Sequence, residues 1–273
     1  MGRVLPVLDG ALQPRAGAAG RRPTAPPEAL AEFITDDVVL PRFHVWTLGC
    51  QMNRSDSEEM AGALLAAGCA ETASLEAADL IVINSCAIRE AAEQKVIGRM
   101  GALARLKATR PGVRVVLTGC GVREENADRL ARRYPAVDLF LRPDEEPELV
   151  ARLGLAGATA PGGLTGHRAV AVGEGRIARG SDRQAWLPII YGCDKTCTYC
   201  IVPFSRGPEQ SRPFDDVVEE ARRLAAAGYR ELTLLGQNVN SYGHDLAPEP
   251  RFADVHAARH LGRRIPLDGR PDI

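Results

Sequence analysis

From residue 42 onward, short apolar runs alternate with longer amphipathic ones. Phe43–Leu48 predicts a buried strand that ends at Gly49-Cys50. Asp56–Ala67 then has helical spacing, with Met60, Leu64 and Leu65 on the apolar face. Leu80–Ile83 is a continuous apolar run, predicting a second buried strand that ends at Asn84-Ser85-Cys86. A long helix is predicted over Ile88–Thr109, stopped by Pro111-Gly112. Val113–Leu117 predicts the third strand, ending at Thr118-Gly119-Cys120, and Arg123–Arg133 another helix. A short strand at Val137–Leu141 and a closing helix at Glu145–Leu153 complete this stretch. Apolar strands alternating with helices imply a parallel sheet covered on both faces.

Residues 154–183 are rich in Gly, Ala and Arg, with Pro161-Gly162-Gly163 in their midst. They read as an interdomain linker, with a short strand near Val170-Ala171-Val172. The pattern then resumes: a strand Trp186–Tyr191, a helix Phe214–Ala227 opening on Asp215 and Asp216, and a strand Glu231–Leu235 that ends at Gly236-Gln237-Asn238. Acidic residues suit the positive end of a helix dipole. This βαβ run predicts the start of a barrel-like α/β domain, whose chemistry sits at the strands' carboxyl ends. The fold class expected is therefore α/β, a parallel-sheet N-terminal domain followed by an incomplete (β/α) barrel. Its divisions are an extension 1–40, a first domain 41–153, a linker 154–183 and a partial second domain 184–273. Residues 1–40, rich in Ala, Pro, Gly and Arg, lack periodicity and are expected to be disordered. Their Arg-rich, acid-poor character faintly suggests a transit peptide, but an extended or misassigned start is the preferred reading.

Composition narrows the class. The chain has 273 residues, 45% hydrophobic and 25% charged, with a net charge of −1. This is an ordinary globular balance. No apolar run approaches the ~18 residues a membrane span requires, so no membrane partner is expected; seven cysteines without a signal peptide make the cytoplasm the expected location. Basic patches at Arg105, Lys107, Arg110 and Arg114, at Arg129, Arg132 and Arg133, and from Arg251 to Arg270 read first as solvated faces. An RNA-facing role is only permitted by them.

The seven cysteines carry the chemistry. Seven is an odd number, and without a secretory signal it argues against a disulfide framework and for thiols kept reduced. Cys193, Cys197 and Cys200 have the spacing C-x₃-C-x₂-C. Three thiolates on a four-iron cluster leave one iron open, where most such clusters take four cysteines. A zinc site closed by His244, or inert thiols, are the alternatives. Cys50, Cys86 and Cys120 each follow a different predicted strand, at the edge where open α/β sheets bind ligands. They are candidates for a second cluster, against the reading of any one as a buried structural cysteine. Cys69, after Gly68 at a helix end, reads as an apolar filler.

The C-x₃-C-x₂-C spacing resembles the signature of radical S-adenosylmethionine (SAM) enzymes. Gly49-Cys50-Gln51-Met52-Asn53, Asn84-Ser85-Cys86-Ala87-Ile88-Arg89-Glu90 and Gly119-Cys120 are similar to the cysteine motifs of the methylthiotransferase family. So are Ile201-Val202-Pro203-Phe204-Ser205-Arg206-Gly207, Ser211-Arg212-Pro213 and Leu234–Tyr242, and the likeness runs almost continuously over residues 42–246. Gln51-Met52-Asn53 and Gln237-Asn238-Val239-Asn240 favour the branch acting on isopentenyladenosine of tRNA. A sister branch acts on threonylcarbamoyl-adenosine, and another on a ribosomal-protein aspartate.

The resemblance implies two [4Fe-4S] clusters and SAM. Cys193, Cys197 and Cys200 would hold the cluster that cleaves SAM. Tyr199, Gly236, Gln237 and Asn238 would help seat the cofactor. Cys50, Cys86 and Cys120 would hold an auxiliary cluster carrying the sulfur that is methylated. The methylthio group would then pass to carbon 2 of isopentenyladenosine beside the anticodon, a base that a single-stranded loop can splay out. The implied partners are a tRNA anticodon loop, a reductant such as flavodoxin or ferredoxin, and a sulfur donor. Val255–Ile273 no longer reads like the family, and the family's remaining strands and RNA-binding TRAM domain do not follow. The expectation is a truncated chain that binds clusters but turns over little alone. A metal-binding remnant without catalysis is the non-enzyme alternative.

Overall fold

The computed structural model describes residues 41–87, 90–155 and 177–255. The expected extension 1–40, the strand near Val170 and the tail beyond Val255 lie outside the described residues.

The first domain is a five-stranded, wholly parallel sheet. Its strands are β1 (Arg42–Leu48), β2 (Ala70–Glu71), β3 (Leu80–Ser85), β4 (Arg114–Gly119) and β5 (Leu139–Phe140), in the order β2-β1-β3-β4-β5. The alternation of side chains explains the two cores. Ile81 and Ile83 join Val115 and Leu117 on one face, against Val96 and Leu103 of helix α2 (Glu90–Thr109). Leu80 and Val82 face the other way with Phe43 and Val116, against Met60 and Leu64 of helix α1 (Gln51–Ala66). Every residue of β3 is buried, as a central parallel strand requires. Cys69 fills the second core as a buried apolar residue.

Several boundaries differ from the sequence-based expectation. α1 begins at Gln51, directly after Cys50, and not at Asp56. Its first turns bury Asn53, Ser55, Asp56 and Ser57, polar residues that an apolar-stripe search passes over. The helix expected over Arg123–Arg133 is a 3₁₀ turn at Glu124–Asn126 followed by α3 (Ala127–Arg133). The segment 145–153 is likewise a 3₁₀ stretch, Pro143–Glu148, running into α4 (Leu149–Arg152).

In the second domain, β6 (Gln184–Pro188) pairs in parallel with β9 (Glu231–Leu235). The single strand expected at Trp186–Tyr191 is broken after Pro188. β7 (Ile190–Tyr191) turns away and pairs antiparallel with β8 (Gln210–Ser211). Pro188 has no N–H to extend a ladder, and its carbonyl accepts from Arg212 Nη1 at 2.8 Å. Helix α6 (Phe214–Ala226) carries Asp215 and Asp216 in its first turn and packs Val217 against Leu187 and Ile189. Between β7 and β8 lies the short helix α5 (Val202–Arg206).

The described part of the expected linker is docked rather than loose. The Ala178 N–H donates to Glu58 O at 3.0 Å and Gly180 N–H to Glu58 Oε1 at 3.0 Å. Arg179 Nη2 reaches the buried Glu220 at 3.0 Å. Burial pushes the Glu58 carboxyl up, against the lowering effects of the Gly180 N–H and of Arg179.

Candidate functional site

Strand register gathers the first set of thiols. Leu48, Ser85 and Gly119 stand opposite one another in a single row across β1, β3 and β4. Cys86 and Cys120 are the next residues after that row, and Cys50 follows it by two. Neighbouring strands run about 4.8 Å apart, so three chain segments deliver their cysteines to one stretch of sheet edge. Gly119 makes the approach possible. Its φ is +90°, and an added Cβ would collide with the Ser85 carbonyl oxygen and Asn84 Oδ1.

A buried amide network underlies this edge. Asn53 Nδ2 donates to Asn84 Oδ1 at 2.7 Å, and Asn84 Nδ2 donates to Asn53 O at 2.9 Å and to Ser57 Oγ at 3.1 Å. Asn53 Oδ1 in turn accepts from the Cys50 N–H and thiol, each at 3.3 Å. Ser85 Oγ donates to Thr118 O at 3.0 Å, and Thr118 Oγ1 to Glu146 Oε1 at 2.8 Å. The polar residues that hid the start of α1 from the sequence pattern are thus the ones that fix the cysteine edge.

The second set lies on the loop after β7. Gly192 turns the chain with φ +74°, and Cys193 N–H donates to Gly207 O at 3.1 Å. Cys193 is buried, Cys200 half-buried and Cys197 exposed, with Cys200 N–H donating to Cys197 O at 3.0 Å. Tyr199 projects into solvent at 91% exposure. Gly236, Gln237 and Asn238 follow β9, and Gln237 Oε1 is buried without a hydrogen-bond partner among the described residues. An orphaned acceptor there suits a polar cofactor.

Among the described residues, no three or more His, Cys, Asp or Glu side chains converge closely enough to hold a metal ion. Each triad is brought to one place by the backbone without being closed on a point. The donor chemistry nonetheless suits an iron–sulfur group, since each set offers three free thiols. All seven cysteines are free thiols.

One residue of the site escaped the sequence reading. Arg206, at the end of α5, crosses from the second domain to the first. Its Nη2 donates to Asp56 Oδ2 at 2.6 Å and its Nε to Cys120 Sγ at 3.1 Å. Burial opposes its charge, but Asp56 and then Cys120 outweigh that and hold the guanidinium above its ordinary value. Burial pushes the Cys120 thiol up, and Arg206 draws it part of the way back. Apolar contact supports the crossing, with Met52 of α1 packed against Tyr191 and Leu235. The signal available in the sequence is a lone charged residue inside the otherwise uncharged Ile201–Gly207 motif.

Part of the basic patches is paired locally: among the described residues Lys107 and Arg114 pair with Asp138, Arg110 with Asp79, and Arg133 with Glu93. No helix among the described residues is long and apolar enough to cross a membrane.

Comparison with known proteins matches the two halves separately. Residues 42–142 match the family described as "Uncharacterized protein family UPF0004", and residues 187–263 match the radical SAM superfamily. The chain is 42% identical over 214 residues to a tRNA-2-methylthio-N(6)-dimethylallyladenosine synthase of Herpetosiphon aurantiacus, covering 78% of this chain and 47% of that protein. A Bacillus pumilus protein of the same name is 44% identical over 208 residues, covering 75% of this chain and 41% of that one. The chain therefore spans about half the length, or less, of these curated relatives. A radical S-adenosylmethionine methyltransferase from Kitasatospora setae superposes with a TM-score of 0.46 and 14% identity, over 80% of this chain and 50% of that one. That overlap is too loose to carry an argument.

Proposed function

From the premise that this chain joins a UPF0004 domain to a radical SAM domain, we propose that it carries the methylthiotransfer machinery for carbon 2 of isopentenyladenosine beside the anticodon of tRNA. The observation that supports this most is that two cysteine sets follow strand ends, one in each matched segment, with the Arg206-Gly207 dipeptide touching Cys120 of one and Cys193 of the other. The tRNA substrate follows the printed names of the relatives.

Cys193, Cys197 and Cys200 would hold the SAM-cleaving cluster, and Cys50, Cys86 and Cys120 an auxiliary one. When bound, the first would supply an electron to SAM and the second a sulfur for methylation. The chain's own residues position and enclose. Asn53 holds the Cys50 backbone N–H through its amide oxygen, a bond that persists when the thiol is deprotonated as a ligand, and Gly119 lets β4 close on β3 so that Cys120 reaches the edge. Gln237 offers a buried acceptor to the polar part of SAM, and the exposed Tyr199 ring an apolar surface to its adenine. A reductant and a sulfur donor complete the chemistry as partners.

The test uses a bacterial strain lacking its own methylthiotransferase gene. It receives this chain, either alone or grafted in place of the matched segment of the Bacillus subtilis relative, which is 42% identical over 208 residues. Digested tRNA is then read by mass spectrometry. Methylthio-isopentenyladenosine in either case supports the proposal. Unmodified isopentenyladenosine in both overturns it.

A further inference from the structure

Arg206 contacts the Cys50–Cys86–Cys120 edge in a way that a simple ion pair does not require. Its side chain is 3% exposed and Asp56 is fully buried. Asp56 occupies only Nη2. The Nε–H is spent on sulfur, donating to Cys120 Sγ at 3.1 Å. The third nitrogen, Nη1, is buried without a hydrogen-bond partner among the described residues. A buried, unpaired guanidinium donor is costly, and a charged fork beside a thiol edge is matched chemically by an anionic sulfur ligand. The backbone adds a second link. Gly207, next to Arg206, accepts the Cys193 N–H at 3.1 Å. One dipeptide therefore touches a ligand candidate of each set.

We propose that Arg206 is a positioning residue for the centre at the Cys50–Cys86–Cys120 edge, its Nε–H holding the Cys120 sulfur and its Nη1–H offered to an anionic sulfur atom bound there. The inference rests on the proposed reading of that edge as an iron–sulfur site. Hydrogen bonds to cluster sulfurs favour the more negative, reduced state and so raise the reduction potential. Asp56 acts one step further out, fixing the guanidinium from α1. Arg206 thus ties the electronic state of one domain's centre to the seating of the other domain's loop.

The experiment isolates one centre by replacing Cys193, Cys197 and Cys200 with Ala in the full chain, followed by anaerobic reconstitution with iron and sulfide. Iron per chain and the midpoint potential, followed by electron paramagnetic resonance, are compared for this parent, Arg206→Lys and Arg206→Met. Lys keeps a charge for Asp56 but lacks the planar fork that serves both partners. The expected result is unchanged iron content with a midpoint shifted negative in Arg206→Lys and further negative in Arg206→Met. If circular dichroism shows Arg206→Met unfolded, Arg206→Lys alone decides. An Arg206→Lys midpoint equal to that of an iron-loaded parent overturns this inference and leaves the proposed function standing. A parent that takes up no iron overturns both, so the two failures are told apart.

Discussion

Replacing Gly119 with Ala tests whether the cysteine edge depends on the close approach of β4 to β3. Two costs follow from the structure. The φ of +90° lies where an L side chain is strained, which costs roughly 1–2 kcal/mol. The new methyl group would also collide with the Ser85 carbonyl oxygen and Asn84 Oδ1, and would sit 2.7 Å from Ser85 N. Backbone cannot swing aside as a side chain can, and forced overpacking costs about 1–3 kcal/mol. The sum is about 2–5 kcal/mol, a large share of the roughly 5–15 kcal/mol that stabilises a typical protein. Relief requires the ends of β3 and β4 to separate, which displaces Cys120, the next residue. Guanidinium unfolding of the iron-free chain reads the stability, and anaerobic reconstitution reads the iron uptake. Gly98→Ala is the control, since nothing lies within 4 Å of a Cβ in that helical position. It should stabilise by about 0.5–1 kcal/mol. A Gly119→Ala chain within about 0.5 kcal/mol of the parent, with full iron uptake, would refute the reasoning.

Asp56→Asn removes the carboxylate that pairs directly with buried Arg206 and leaves the weaker influence of Glu146. Breaking such a pair costs about 3–5 kcal/mol, and urea titration of the variant should show a loss of that size. Tyr242, buried and donating to Arg212 O at 2.9 Å, has its phenol pushed from 10.0 to about 12, chiefly by burial. Its proton is held more tightly in the folded chain, so its contribution is complete below pH 10 and is lost as pH rises towards about 12. The difference in unfolding free energy between parent and Tyr242→Phe, followed by fluorescence across that range, should therefore shrink as pH rises; a pH-independent difference contradicts the assignment. Tyr199→Ala should leave stability within about 0.5 kcal/mol of the parent, because the ring is 91% exposed. It should weaken SAM binding in calorimetry of the reconstituted chain, and unchanged binding would remove Tyr199 from the cofactor site.

What the sequence could and could not disclose follows from how each part is held. β9 and α6 were legible almost to the residue, since Glu231–Leu235 alternates between Gly-bounded ends and α6 carries an apolar stripe. The placement of Cys86 and Cys120 after adjacent strands was legible too, because β3 and β4 are buried apolar runs, and Cys50 follows β1, whose apolar residues are interspersed with polar ones. The start of α1 was not. Its buried face is held by the Asn53–Asn84–Ser57 hydrogen bonds, and periodicity searches register hydrophobicity rather than satisfied polarity. The break at Pro188 was missed because Trp186–Tyr191 is uniformly apolar while its two halves belong to different sheets. Arg206 remained silent because its partners Asp56 and Cys120 lie 150 and 86 positions away in the chain. No local pattern reports such a contact.

The central claim is that six thiols in two domains form two separate iron–sulfur sites. Anaerobic reconstitution with an iron and sulfide count tests it most directly, on the parent and on the two triple Cys→Ala variants. The account predicts about eight irons in the parent and about four in each variant, as two four-iron clusters require. Zinc in place of iron, or either triple variant binding as much iron as the parent, would contradict it.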